Sequence, residues 1–161
     1  MNSSLKFNNA SSKARFFESF FGCNRKVPAT GNPTSIVTTE LMDKAKVYFP
    51  EANLEAQAMA ELAASGHELL GFDTIMPAFS IQYESPALGC EVDWSHRDRM
   101  PDAITHPCRE VSDLKIPKNI LEKPSLKVVL EAISILRKEY GDSVPILGKV
   151  MGPWTLSYHL V

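Results

Sequence analysis

No stretch of this chain stays apolar for the ~18–20 residues that a helix needs to cross a bilayer, and no secretory hydrophobic segment stands near its start. A helical membrane span is therefore not expected. Cysteine is scarce. Cys23, Cys90 and Cys108 form an odd, widely spaced set without a Cys-x-x-Cys pair, which suits free thiols in a reducing compartment better than a disulfide framework. The expected location is the cytoplasm. An excess of positive charge is also missing. Seventeen Lys and Arg face nineteen Asp and Glu, for a net charge of -2, and no dense basic block occurs, so nucleic acid is not an expected partner. Low-complexity tracts are absent, and 44% of residues are hydrophobic. A chain of this length and composition folds, burying about 70% of the surface its unfolded form exposes.

What is present is an ordered alternation of elements. Residues 1–15 begin Ser/Asn-rich and are expected to form a flexible tip, with one domain over 16–161; Ala14, Phe17, Phe20 and Phe21 recur at helical spacing before Gly22, as in an amphipathic helix. KVPATGNPTS then reads as a short strand and a polar loop, followed by a helix over residues 38–46. The next helix opens at Asn53, a good N-cap type, carries Leu54, Ala58, Leu62 and Leu69, and closes at Gly71. Gly66 within it marks a close neighbour, because glycine there costs about 1 kcal/mol relative to alanine.

FDTIMPAFS is an apolar run ended by proline, the pattern of a buried strand feeding a loop. Pro101, Pro107 and Pro117 make residues 93–123 a long ordered excursion. Leu126, Val129, Leu130, Ile133, Leu136 and Tyr140 then share one helical face, with Gly141 as the stop. Residues 144–151 read as a third strand, and Gly152-Pro153 opens another helix, since proline is pre-organised for the first helical position.

Strands alternating with helices at this spacing imply right-handed βαβ units and a parallel sheet. The expected class is α/β with about three βα units, an incomplete set that leaves a sheet edge uncovered. The last stretch, VPILGKVMGPWTLSYHLV, holds a strand and two turns of an apolar helix without a glycine to close it. The expectation is a chain that forms part of something larger.

Several stretches taken together, GNPTSIVTTELMD, YFPEA, GFDTIMPAFS, ALGCEVDW and PILGKVMGPWTL, resemble the uroporphyrinogen decarboxylase superfamily, and within it the methylcobalamin:coenzyme M methyltransferase branch. The resemblance implies the amino-terminal part of a TIM-like (β/α)8 barrel, whose pocket lies at the C-terminal ends of the strands. It implies methylcobalamin on a corrinoid protein as methyl donor and a thiol such as coenzyme M as acceptor. In that branch zinc, held by a His-x-Cys pair and a later Cys, turns the acceptor into a thiolate; those ligands belong to the half that would follow Val161. The decarboxylase branch instead carries closely spaced arginines in its first loop and an acid after its second strand. Here those loops read ATGNPTS and FSIQYES, without the arginines and with Ile81 and Gln82 near the acid's place. These departures favour methyl transfer. The expected protein is an amino-terminal piece of such a methyltransferase, inactive alone, that self-associates or meets a complementary chain. The alternatives are a non-catalytic half-barrel for binding or oligomerisation, and a tetrapyrrole decarboxylase.

Candidate ligand-facing residues each have an ordinary alternative. Asn32, Thr34 and Ser35 follow the first strand, where they line a pocket or serve as turn and cap residues. Gln82 and Glu84 follow the second strand; a carboxylate there is a ligand group or a paired loop residue. Met151 and Trp154 flank the third strand's end, where they face a planar corrin ring or simply pack. His159 falls near the place of a family tyrosine after the PWTL motif, and Tyr158 stands beside it. His106-Pro107-Cys108, with Cys90 and His96, can be drawn as a zinc site, but it lies in the proline-punctuated excursion, and no metal ligand is assigned there. His67 is read as a surface or packing histidine.

Overall fold

A computed structural model describes residues 11–22, 27–31 and 37–161. Two helices dominate it, α4 (Ala56–Leu70) and α6 (Pro124–Tyr140), which pack against each other. α4 turns a small-residue face inward, burying Ala58, Met59, Ala60, Leu62, Ala63 and Ala64. Such a face lets partners approach closely. Its interior Gly66 does the same: a Cβ there would sit 3.3 Å from the Phe72 ring. Gly71 closes α4 at φ 75°, with its N–H on His67 O.

α4 does not begin at Asn53. Glu55 is extended (φ −122°, ψ 126°) and splits the expected helix into α3 (Glu51–Leu54) and α4. Asn53 is fully buried inside α3, where its Oδ1 accepts the Tyr83 hydroxyl at 2.8 Å. Its Nδ2 is, among the described residues, a buried side-chain atom without a hydrogen-bond partner. A long-range tyrosine therefore claimed the residue that local sequence offered as a cap. α2 (Thr39–Ala45) forms as expected, with Thr38 Oγ1 accepting the Leu41 N–H at 3.2 Å.

In α6 the buried residues are Ser125, Val128, Val129, Ala132 and Leu136. Leu130, expected on this face, is 44% exposed, so the buried stripe of α6 leaves it out.

The expected parallel strands are reduced to neighbouring extended segments. Ile75 and Ile146 form a parallel bridge, with Ile75 N–H donating to Pro145 O at 3.0 Å and Leu147 N–H to Ile75 O at 2.8 Å. Pro77 and Pro145 lack an N–H, which cuts the ladder short on both sides. Asp73 N–H reaches Thr30 O at 2.6 Å, so the 27–31 segment lies against the start of 72–80. These segments meet, among the described residues, through short backbone contacts rather than long ladders. Among the described residues the paired strands are β1 (Val92–Asp93) and β2 (Asp102–Ala103), an antiparallel hairpin that opens the 93–123 excursion. Short 3-10 turns at Val111–Asp113 and Ile120–Glu122 order the rest of that excursion.

α1 (Ser12–Phe20) starts under a Ser11 cap, so residues 12–15, expected in the flexible tip, are helical. Lys13 holds it at Ser143 O and Gly141 O. Arg15 pairs with the buried Asp73. Burial pushes the Asp73 carboxyl up, but hydrogen bonds from Arg15, the Thr30 N–H and Ser12 outweigh it and hold the group below its ordinary value. The aromatic side of α1 stays outside: Phe20 and Phe21 are 72% and 73% exposed, and the phenylalanines stack mainly on one another.

Candidate functional site

Residues 72–80 lead into α5 (Glu84–Ala87), and residues 144–151 lead into α7 (Pro153–Leu160). The two exits are bound together. Glu84 Oε1 accepts the Met151 N–H at 2.8 Å, and Lys149 Nζ donates to Phe79 O at 3.3 Å. Burial lowers the pKa of Lys149, an effect that the neighbouring Glu84 charge opposes.

Gln82 is the centre of this place and is almost fully buried. Its N–H donates to Ser80 Oγ at 2.9 Å, and its Oε1 accepts the Ser85 hydroxyl at 2.6 Å. With the oxygen so engaged, the amide NH2 faces the His159 ring, 3.4 Å from both nitrogens. A neutral imidazole can accept this NH2 through one of the two nitrogens. Of the sequence candidates, the structure brings Gln82, Glu84, Met151 and His159 together. It places Trp154 apart, 86% exposed on the outer side of α7. Asn32, Thr34 and Ser35 lie outside the described residues.

Sequence reading missed Ser80, Ser85 and Lys149. The available signal was the lone lysine in the apolar run VPILGKVM, since a cation between hydrophobic neighbours needs a partner. His67 has partners that sequence did not reveal: its Nδ1 lies 2.6 Å from Phe72 O, and its ring meets Tyr140 edge-on.

The excursion closes on the end of α7. His106 Nδ1 lies 3.0 Å from His159 O, Cys90 Sγ donates to the same oxygen at 3.4 Å, and Cys108 N–H donates to Leu160 O at 2.8 Å. Carbonyls in the last turn of a helix have no partner within it, so residues far away in sequence supply the termination that the helix lacks. Cys90 and Cys108 pack with Leu160 in an apolar cluster, while His96 is exposed in the loop between β1 and β2. Among the described residues, no group of three or more His, Cys, Asp or Glu is placed to hold a metal ion. No helix among them is long and apolar enough to cross a membrane. A separate groove of about 430 Å³, lined by Lys44, Glu61, Glu68 and Tyr140, lies between α2, α4 and α6 and includes none of the candidates.

The uroporphyrinogen decarboxylase (URO-D) sequence pattern matches residues 26–161. The chain belongs to the URO-D family. Among curated relatives, this URO-D chain is 32% identical over 148 residues to a methylcobamide:CoM methyltransferase, MtbA, of Methanosarcina acetivorans, covering 89% of the chain and 44% of the relative. It is 36% identical over 132 residues to a methylated-thiol–coenzyme M methyltransferase of Methanosarcina mazei, covering 80% and 35%. A uroporphyrinogen decarboxylase of Anaeromyxobacter matches less well, at 25% over 122 residues, covering 73% and 35%. A solved methyltransferase structure from Methanosarcina mazei superposes with a TM-score of 0.87 at 31% identity, covering 94% of this chain and 45% of that one. The URO-D chain thus spans less than half the length of these relatives, and its fold is part of the (β/α)8 barrel of the family.

Proposed function

We propose that this chain is the amino-terminal half of a corrinoid-dependent methyltransferase, serving transfer of a methyl group from methylcobalamin on a corrinoid protein to a thiol such as coenzyme M. The observation that carries the reading is the close superposition on a methyltransferase at 31% identity. The loop residues agree with it: ATGNPTS holds no arginine, and Ile81 and Gln82 stand near the place where a decarboxylase would carry its acid.

In this reading Gln82 and His159 form a polar wall of the pocket at the strand ends, and Glu84 fixes the turn that launches α7. Asn32, Thr34 and Ser35 stay ligand candidates from their sequence position alone, and Trp154, exposed on α7, is proposed as a contact for the corrinoid partner rather than as part of this wall. Methylcobalamin supplies a cobalt-bound methyl group. The described residues do not form a set of zinc ligands, so no step is assigned to zinc on them; the resemblance puts that ion on the other half. Free thiols favour a cytoplasmic location.

Taken alone, the chain is proposed to be inactive and to self-associate or to bind a complementary chain, since Val150, Trp154 and Tyr158 are 83%, 86% and 73% exposed around the last segment and α7. The test is methylation of coenzyme M by methylcobalamin, measured with the 161-residue chain and then with the carboxy-terminal half of a related methyltransferase added. No turnover alone and turnover on mixing support the reading. Turnover alone overturns the claim of inactivity, and no turnover from a verified complex overturns the claim of methyl transfer.

A further inference from the structure

We propose that Cys90 and Cys108 are a dithiol pair that closes reversibly to a disulfide, making the excursion between them a redox-responsive clasp on the end of α7.

The fold brings these two thiols together although the sequence keeps them far apart. Both are free and buried, and both belong to the small apolar cluster completed by Leu160. The hairpin sets the approach of the two arms: Val92 pairs with Ala103, Ile104 N–H donates to Glu91 O at 2.8 Å, and Glu91 N–H donates to Thr105 Oγ1 at 2.8 Å. Next to the pair, a Cβ at Gly89 would lie 3.8 Å from the Pro107 side chain. The cysteines therefore follow a van der Waals contact between their own arms. Cys108 is also near enough to act on its neighbour: burial, and then Cys108, push the Cys90 thiol above its ordinary value.

That environment keeps the Cys90 thiol protonated and slow to react while the clasp is shut. The Cys90 S–H is also occupied as a donor to His159 O. The oxidant is a small disulfide such as oxidised glutathione. One protein thiolate attacks it, giving a mixed disulfide and releasing one small thiol. The second protein sulfur then displaces the other small thiol. Two protein thiols lose two electrons and two protons, and one small disulfide becomes two small thiols. The protein disulfide has no hydrogen to donate, so His159 O keeps His106 and loses Cys90. Because the ring of that same residue meets Gln82, the redox state of the clasp reaches the candidate site.

The test equilibrates the full chain in glutathione buffers of increasing oxidation, alkylates the remaining thiols, and maps proteolytic peptides by mass without reduction. The expected result is a cross-link between the peptides holding Cys90 and Cys108, lighter by two hydrogens and reversed by reduced glutathione, with Cys23 still alkylated. C90S and C108S should each abolish it, and C23S should leave it intact. Phenylarsine oxide, which bridges paired thiols, should protect both cysteines at one equivalent in the unaltered protein. A cross-link through Cys23, or persistence of both thiols in the most oxidising buffer, overturns the proposal.

Discussion

Glu84 and Met151, on two different barrel segments, share one hydrogen bond of 2.8 Å from backbone N–H to carboxylate. The turn that starts α7 is thus set by the first side chain of α5. Met151 is buried, so its N–H has no ready replacement. Glu84→Ala should lower stability by about 1–3 kcal/mol, the cost of a buried polar group left unpaired. Glu84→Gln keeps an acceptor oxygen and should lose less. Urea unfolding of both variants checks the order.

Tyr83 and Asn53 make a second prediction. The tyrosine hydroxyl is the donor to Asn53 Oδ1, and Asn53 Nδ2 is already without a partner. Tyr83→Phe would leave both ends of a fully buried amide unsatisfied, with an expected loss of about 1–3 kcal/mol. The substitution removes almost no apolar contact, so a loss of that size in chemical denaturation reports the hydrogen bond itself. An unchanged midpoint would show the bond to be worth nothing.

Asp73 predicts the shape of the acid limb. Its carboxyl is held below the ordinary value in the folded chain, so the unfolded chain binds the proton more readily. The stability this contributes is present above the unfolded carboxylate value and is lost as the pH falls through the folded one. Urea midpoints should fall with acid over that range, and Asp73→Asn should flatten this part of the profile. The same variant should loosen α1, because Arg15 loses its partner.

Gln82 predicts a functional effect. Gln82→Leu removes the acceptor of the Ser85 hydroxyl and the donor that faces His159. In a reconstituted methyltransferase, the rate of methyl transfer should fall by about tenfold or more, corresponding to about 1.4 kcal/mol. Far-UV circular dichroism run beside the assay should show an intact helix content. An unchanged rate would remove Gln82 from the site.

Much of the helical framework was legible in local sequence. Gly22, Gly71 and Gly141 mark ends that the structure keeps, and Pro153 marks a start. Legibility failed where a distant partner overrode a local signal. Asn53 has the chemistry of a cap, yet Tyr83 draws it into the core. Leu130 has the spacing of a core residue, yet the buried stripe of α6 leaves it outside. The extended segments were visible as apolar runs, but Pro77 and Pro145 restrict how many ladder bonds they form. At the site, Gln82 and Glu84 could be found by position after an apolar run. Their meeting with Lys149 and His159 could not, because it depends on how two segments far apart in sequence are laid side by side.

The excursion that ends on α7 has a dynamic consequence. Its Cys108 amide lies outside any helix or strand, yet it is bonded to Leu160 O, so it should exchange with solvent deuterium at the pace of the last turn of α7. A single cut between the hairpin and Cys108 should release both at once. The long loop and the short helix then form one cooperative unit of opening, although most of the chain between them belongs to a different element.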